Sequence, residues 1–274
     1  MNVEWMRMKA HETRALANED AVVIIPVGSV EQHGAHLPVQ TDTRIVYETS
    51  RRAAETACEG GTPTVVLPTI WLGMSDHHMD FGGTLTADYG TLHGVLHAVI
   101  HSVIHHGFRR ILVNNGHGGN TDALKLATAR LKRHFDAPIV VTNYMIEAAE
   151  EHAAILDDQD CVMHAGEAET SMMLFLEPDL VDTVALEGFA GAALKEETDQ
   201  PGGTRWQDFS TRTPNGVRGL PARATAEKGE KLLAASAEGL ARLIVAKVTW
   251  APAVDIRLPE IGGVPVRPKR QYPE

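Results

Sequence analysis

Four short apolar runs constrain this chain more than any other feature of it. AVVIIPVGSV covers 21–30, TPTVVLPTI covers 62–70, RRILVNN covers 109–115 and APIVVTNYM covers 137–145. Each is continuous rather than alternating, which is the pattern of strands covered on both faces of a parallel sheet. Helical patterns near 43–59, 88–106, 121–135, 167–176 and 226–247 separate and follow them. Strands alternating with helices predict an α/β domain with right-handed crossovers. In such sheets ligands gather at the carboxyl ends of the strands. The 274 residues suffice for one large domain or two small ones.

The formal net charge of −11 speaks against nucleic acid or an anionic membrane as partner, since both reward a basic surface. The first residues, MNVEWMRMKAHETRA, lack the apolar stretch of a secretory signal, and no run approaches 18 apolar residues. A reduced cytoplasmic protein is expected, with Cys58 and Cys161 as ordinary thiols. His93, His97, His101 and His105 recur every four residues on one predicted helix, but no carboxylate joins them. They read as a solvated polar stripe. Residues 193–215 form a long polar loop, and 251–274 a Pro-rich C-terminal arm following a domain that spans 1–250.

Three strand-end segments carry the chemistry. In EQHGAHLPVQTD, Glu31 and His33 lie two apart on extended backbone and so face one point, and Asp42 follows after a turn. In NGHGGN, His117 sits among glycines where a strand gives way to a helix. Gly118 and Gly119 can bring free N–H groups close to an anion or oxyanion there. In HAGEAETS, His164 precedes a helix on which Glu167 and Glu169 point about 200° apart, so only one of them enters a common site. Imidazole with carboxylate suits Zn²⁺, Mn²⁺ or Fe²⁺. Five such ligands exceed the three of an open catalytic zinc. They suit two divalent ions roughly 3.5–4 Å apart that share a carboxylate and a bridging hydroxide.

EQHGAHLPVQTD, NGHGGN and HAGEAETS in this order resemble the creatininase (creatinine amidohydrolase) family. GMSDHHMDFGGTLT at 73–86 and GVRGLPARATAEKG at 216–229 extend the resemblance over about residues 20–247. It implies an α/β/α sandwich of three layers around a mostly parallel sheet. It also implies a two-metal hydrolase of small molecules that forms a homo-oligomer, hexameric in the best-known member. By motif, Glu31, His33, Asp42 and His117 are similar to the family's metal ligands, with Asp42 bridging, and His164 to a catalytic histidine. Creatininase itself has a ligating glutamate where this chain has Gly119, and the family's other HAG…ETS members point to Glu169 in its place. His78 and Trp71 are expected near substrate, and His36 and Glu167 behind the ligands. The expected activity is hydrolysis of a C–N bond in a small cyclic amide or formamide by a metal-bridging hydroxide. Family members that open an inositol-derived ring make C–C hydrolysis of a cyclic ketone the alternative. A non-catalytic metal-binding module is a third reading.

Overall fold

Every residue of β1 (Val22–Val27) is buried, because helices cover both faces of the strand. The computed structural model describes residues 2–157, 159–187, 206–252, 256–257 and 260–265. After α1 (Ala10–Asn18), β1 leads through α2 (Thr41–Glu59) to β2 (Thr64–Val66), then through α3 (Tyr89–His105) to β3 (Arg110–Asn115), and through α4 (Thr121–Phe135) to β4 (Ile139–Asn143). These strands pair in parallel in the order β2-β1-β3-β4. Then come α5 (Tyr144–Glu147), α6 (Ala149–Ile155), α7 (Glu167–Leu176), α8 (Thr183–Glu187), α9 (Ala226–Val245) and α10 (Lys247–Trp250).

Strand alternation divides the core in two. Val22, Ile24 and Leu112 point to one face and pack with Ile45 of α2, Met172 of α7 and Leu232 and Leu240 of α9. Val23, Ile25 and Val113 point to the other and pack with Leu92, Leu96 and Ile100 of α3 and Leu124 of α4. The result is the α/β/α layering that the resemblance implies. Chain connections leave β1 towards β2 on one side and reach β3 on the other, with α2 and α3 on opposite faces. That reversal opens a crevice beyond the carboxyl ends of β1 and β3, where open α/β sheets bind ligands.

The histidine ladder lies along α3 as a partly to fully exposed stripe, with the His97 and His101 rings stacked 6.3 Å apart. It belongs to none of the metal-capable clusters among the described residues. Cys58 is a free thiol, so the two cysteines form no disulfide with each other. Among the described residues no helix is long and apolar enough to cross a membrane. Of the long polar loop, 193–205 lie outside the described residues. Of the C-terminal arm, only 251–252, 256–257 and 260–265 are described, the last forming a hairpin of β5 (Glu260–Ile261) and β6 (Val264–Pro265).

Candidate metal centre

Three chain segments converge beyond the ends of β1 and β3. Glu31 and His33 follow β1, His117 follows β3, and Asp42 sits in the first turn of α2. That first turn presses against the end of β3. A Cβ on Gly116 would lie 2.5 Å from Val46 Cβ, so only glycine admits α2 there. Glu169 comes from α7. Just before that helix Ala165 takes a left-handed conformation (φ 52°), which aims its N–H at Glu169 Oε2, 2.6 Å away.

The central group is Asp42. Its Oδ1 lies 3.1 Å from His33 Nε2 and its Oδ2 lies 3.2 Å from His117 Nδ1. Glu31 Oε2 is 3.0 Å from His117 Nδ1, and Glu169 Oε2 is 3.5 Å from His33 Nε2. Glu31 Oε1, Asp42 Oδ2 and His33 Nε2 are buried with no hydrogen-bond partner. Three orphaned polar atoms in one place are costly unless something charged sits among them. The donor set and its geometry therefore fit a pair of cations that share Asp42.

Protons compete with cations for these donors. Burial by itself lowers the pKa of His33, but the Asp42 carboxylate, with Glu169 and Glu31, outweighs it and raises the group to about 10. Burial likewise lowers His117, and Glu31 and Asp42 reverse this and carry it well above the ordinary histidine value. Glu169 is pushed up to about 7, chiefly by burial. Both histidines thus hold an extra proton below their raised values and must lose it to ligate. Loading the site at pH 7–8 is expected to release about two protons, and affinity should climb about tenfold per pH unit for each proton released. Calorimetry in buffers of different ionisation enthalpy measures that number, and zero released protons would contradict it.

A sequence profile of the creatininase family, described as creatinine amidohydrolase, matches residues 6–244. The chain belongs to the creatininase family. Relatives include a mycofactocin precursor peptide peptidase of Mycolicibacterium smegmatis, 32% identical over 244 residues that cover 88% of this chain and 90% of that protein. The creatinine amidohydrolase of Pseudomonas putida is 30% identical over 259 residues, 86% of this chain and 93% of that one. The solved structure of Mn creatininase superposes with a TM-score of 0.74 at 27% identity, covering 92% of this chain and all of that one. The protein is thus a metal-dependent hydrolase of the creatininase family.

In this creatininase-family chain the centre opens into a cavity of about 600 Å³. His78, His164, Gly118 and Gly119 line it, along with Glu31, Asp42, His117 and Glu169. A Cβ at Gly119 would lie 2.4 Å from His117 Nε2 and 2.5 Å from the Met74 carbonyl. No side chain fits there, and the third carboxylate, the fifth donor residue of the set, arrives from Glu169 instead. Glu167 does not stand behind the ligands. It is buried on another face of α7, where Lys228 Nζ donates to it at 2.5 Å and the Asp157 N–H at 3.2 Å. Trp71 does not reach the cavity either. Its neighbour Ile70 bridges Val27 and turns into the core, so Trp71 points the opposite way and is 50% exposed. The tryptophan on the wall is Trp206, whose ring meets His77 edge-on at 5.2 Å. His36 Nε2 contacts Thr170 Oγ1 at 3.0 Å, tying the ligand loop to the residue after Glu169.

Several contributors carried no sequence signal. Ser75 Oγ donates to Glu31 Oε2 at 2.6 Å, with Ser29 Oγ 2.6 Å from it. Phe209 packs on His78 and His164 with ring centroids 4.1 and 4.8 Å apart. Arg212 and Arg218 complete the cavity wall. Of these, Ser75 lies within GMSDHHMDFGGTLT and Arg218 within GVRGLPARATAEKG, but neither stretch marks which side chain reaches the site.

Proposed function

We propose that the protein is a two-metal amidohydrolase that cleaves a C–N bond of a small cyclic amide, formamide or short peptide. The observation that carries this reading is the single Asp42 carboxylate set between His33 and His117 at 3.1 and 3.2 Å. Glu31, Asp42 and His117 would hold one divalent ion, and His33, Asp42 and Glu169 would hold the other. When bound, such a pair polarises the scissile carbonyl and supplies a hydroxide nucleophile near neutral pH. Gly118 and Gly119 present backbone N–H groups at the start of a short turn before α4, placed to receive charge that builds on the carbonyl oxygen. His164 presents a ring N–H beside Glu31 that can hydrogen-bond the departing nitrogen. Phe209 and Trp206 shield that side of the cavity from water. The names of the relatives bring both a peptide and a cyclic amide into the substrate range, and a cavity of about 600 Å³ is large enough for either.

Elemental analysis should find two divalent ions per chain, and chelation should abolish turnover that Zn²⁺ or Mn²⁺ restores. The substrate panel is creatinine, N-formyl amines, cyclic amides and short peptides, scored by amine or formate release. Chelator-resistant activity would refute the reading. A ring-opened keto acid formed from a cyclic ketone, with no amine released from any amide, would transfer the protein to C–C hydrolysis.

A further inference from the structure

The four histidines that face the metal centre divide into two pairs by what their outward nitrogen meets. His33 Nδ1 meets the Glu31 carbonyl oxygen at 3.1 Å, and His117 Nε2 meets the Met74 carbonyl oxygen at 3.1 Å. A carbonyl only accepts, so each outward nitrogen carries a proton in either charge state, and the inward nitrogen is the one whose lone pair is freed when the ring ligates. These two rings are built as ligands.

His78 and His164 meet the opposite kind of partner. His78 Nδ1 and His164 Nε2 both contact Gln32 Nε2, at 2.8 and 3.0 Å. The orientation of the Gln32 amide follows from its other neighbours. The Gly34 N–H can only donate, and it lies 2.9 Å from Gln32 Oε1. The Gly216 carbonyl can only accept, and it lies 3.1 Å from Gln32 Nε2. Gln32 therefore turns its NH₂ towards the two rings. The NH₂ has two hydrogens for three acceptors, the two ring nitrogens and the Gly216 carbonyl, so they are shared; a ring N–H pointing at it would still set donor against donor, and each ring turns a lone pair there. Their protons then sit on the far nitrogens, His78 Nε2 and His164 Nδ1. Those atoms face Glu31 Oε1 at 3.3 and 3.4 Å, on the wall of the cavity.

We infer that Gln32 is a positioning residue that fixes the tautomers of His78 and His164, so that both present N–H donors to the reacting centre and neither ligates a metal. The catalytic part of this inference rests on the hydrolase reading above, while the tautomers stand without it. It also selects among the three donor groups the fold brings together. Glu31–His78–His164 and His33–His164–Glu169 both need a lone pair that Gln32 has turned outward, which leaves Glu31–Asp42–His117 and the His33 side of Asp42. Gly216 holds Gln32 in place. A Cβ at 216 would lie 2.1 Å from Gln32 Oε1, and the residue's φ of 79° suits glycine.

The test is long-range ¹H–¹⁵N spectroscopy of the histidine rings in the Zn²⁺-loaded protein, with His78→Gln and His164→Gln providing the assignments. His164 is expected to be protonated at Nδ1 alone and His78 at Nε2 alone. A proton on either nitrogen that faces Gln32 overturns the inference. Gln32→Met keeps length and removes the donor. It should lower kcat about 10- to 100-fold, the usual effect of losing a group that orients an active-site histidine, with KM and the two bound ions unchanged. Gly216→Ala should reproduce that kcat-only loss by displacing Gln32. Wild-type kcat in Gln32→Met overturns the inference, and if that variant does not fold, the wild-type spectrum still decides. A chain that shows the expected tautomers but hydrolyses no amide would sink the hydrolase reading and leave the tautomers standing.

Discussion

Asp42→Ala is expected to empty both cation positions and to lower turnover by about 10³-fold or more, the consequence of losing several kcal/mol of charge stabilisation. The reason lies in the two oxygens of one carboxylate. Oδ1 serves the His33 side and Oδ2 the His117 side, so one truncation takes a ligand from each ion. His33→Ala and His117→Ala each strip one side only and should retain about one ion per chain. Asp42→Asn keeps the volume and one ligating oxygen, and should fall between them and Asp42→Ala in affinity. The fold should survive, because the apolar clusters on either face of the sheet do not include Asp42. Mass spectrometry under native conditions counts the ions directly. An Asp42→Ala chain that still carries two would remove the shared-carboxylate geometry and the function built on it.

How much of this centre could be read from sequence depends on how each residue is held. Glu31 and His33 were legible because extended backbone repeats every two residues, and that relation survives in any fold that keeps the strand end. The choice between Glu167 and Glu169 rested on helical geometry, which separates them but does not say which faces inward. Lys228 settles that, since α9 brings its ammonium to Glu167 and leaves Glu169 to the site. The sheet was legible because strands covered on both faces need continuous apolar runs. Trp71 was not, because it lies past the end of β2, where the run gives no sign of which alternate residue turns inward. Ser75, Phe209 and the role of Gln32 are contacts between segments 44 or more residues apart. No local period encodes such contacts. Gln32 looked like the spacer in an E-x-H pattern, and its importance lies in where its side chain goes when Glu31 and His33 turn the other way.

His164→Ala should separate chemistry from metal binding, which no ligand substitution can do. The ring lies 4.2 Å from His33 and 4.4 Å from His78 between centroids, against Phe209, so it is packed and oriented before substrate arrives. Burial, reinforced by the neighbouring His33, His78 and His117, holds its pKa well below the ordinary histidine value. At neutral pH it is therefore an uncharged ring with one N–H to offer, and its value to the reaction is that of a fixed hydrogen-bond donor. Removing one donor aimed at developing charge costs about 10²–10³ in kcat. His164→Ala should show a loss of that order while keeping two ions per chain. His164→Gln restores an N–H donor at similar reach but without the ring's packing, and should recover part of the loss. Unchanged kcat in His164→Ala would mean that the reading of its proton is wrong, and the departure of an ion with it would place the ring in the metal shell.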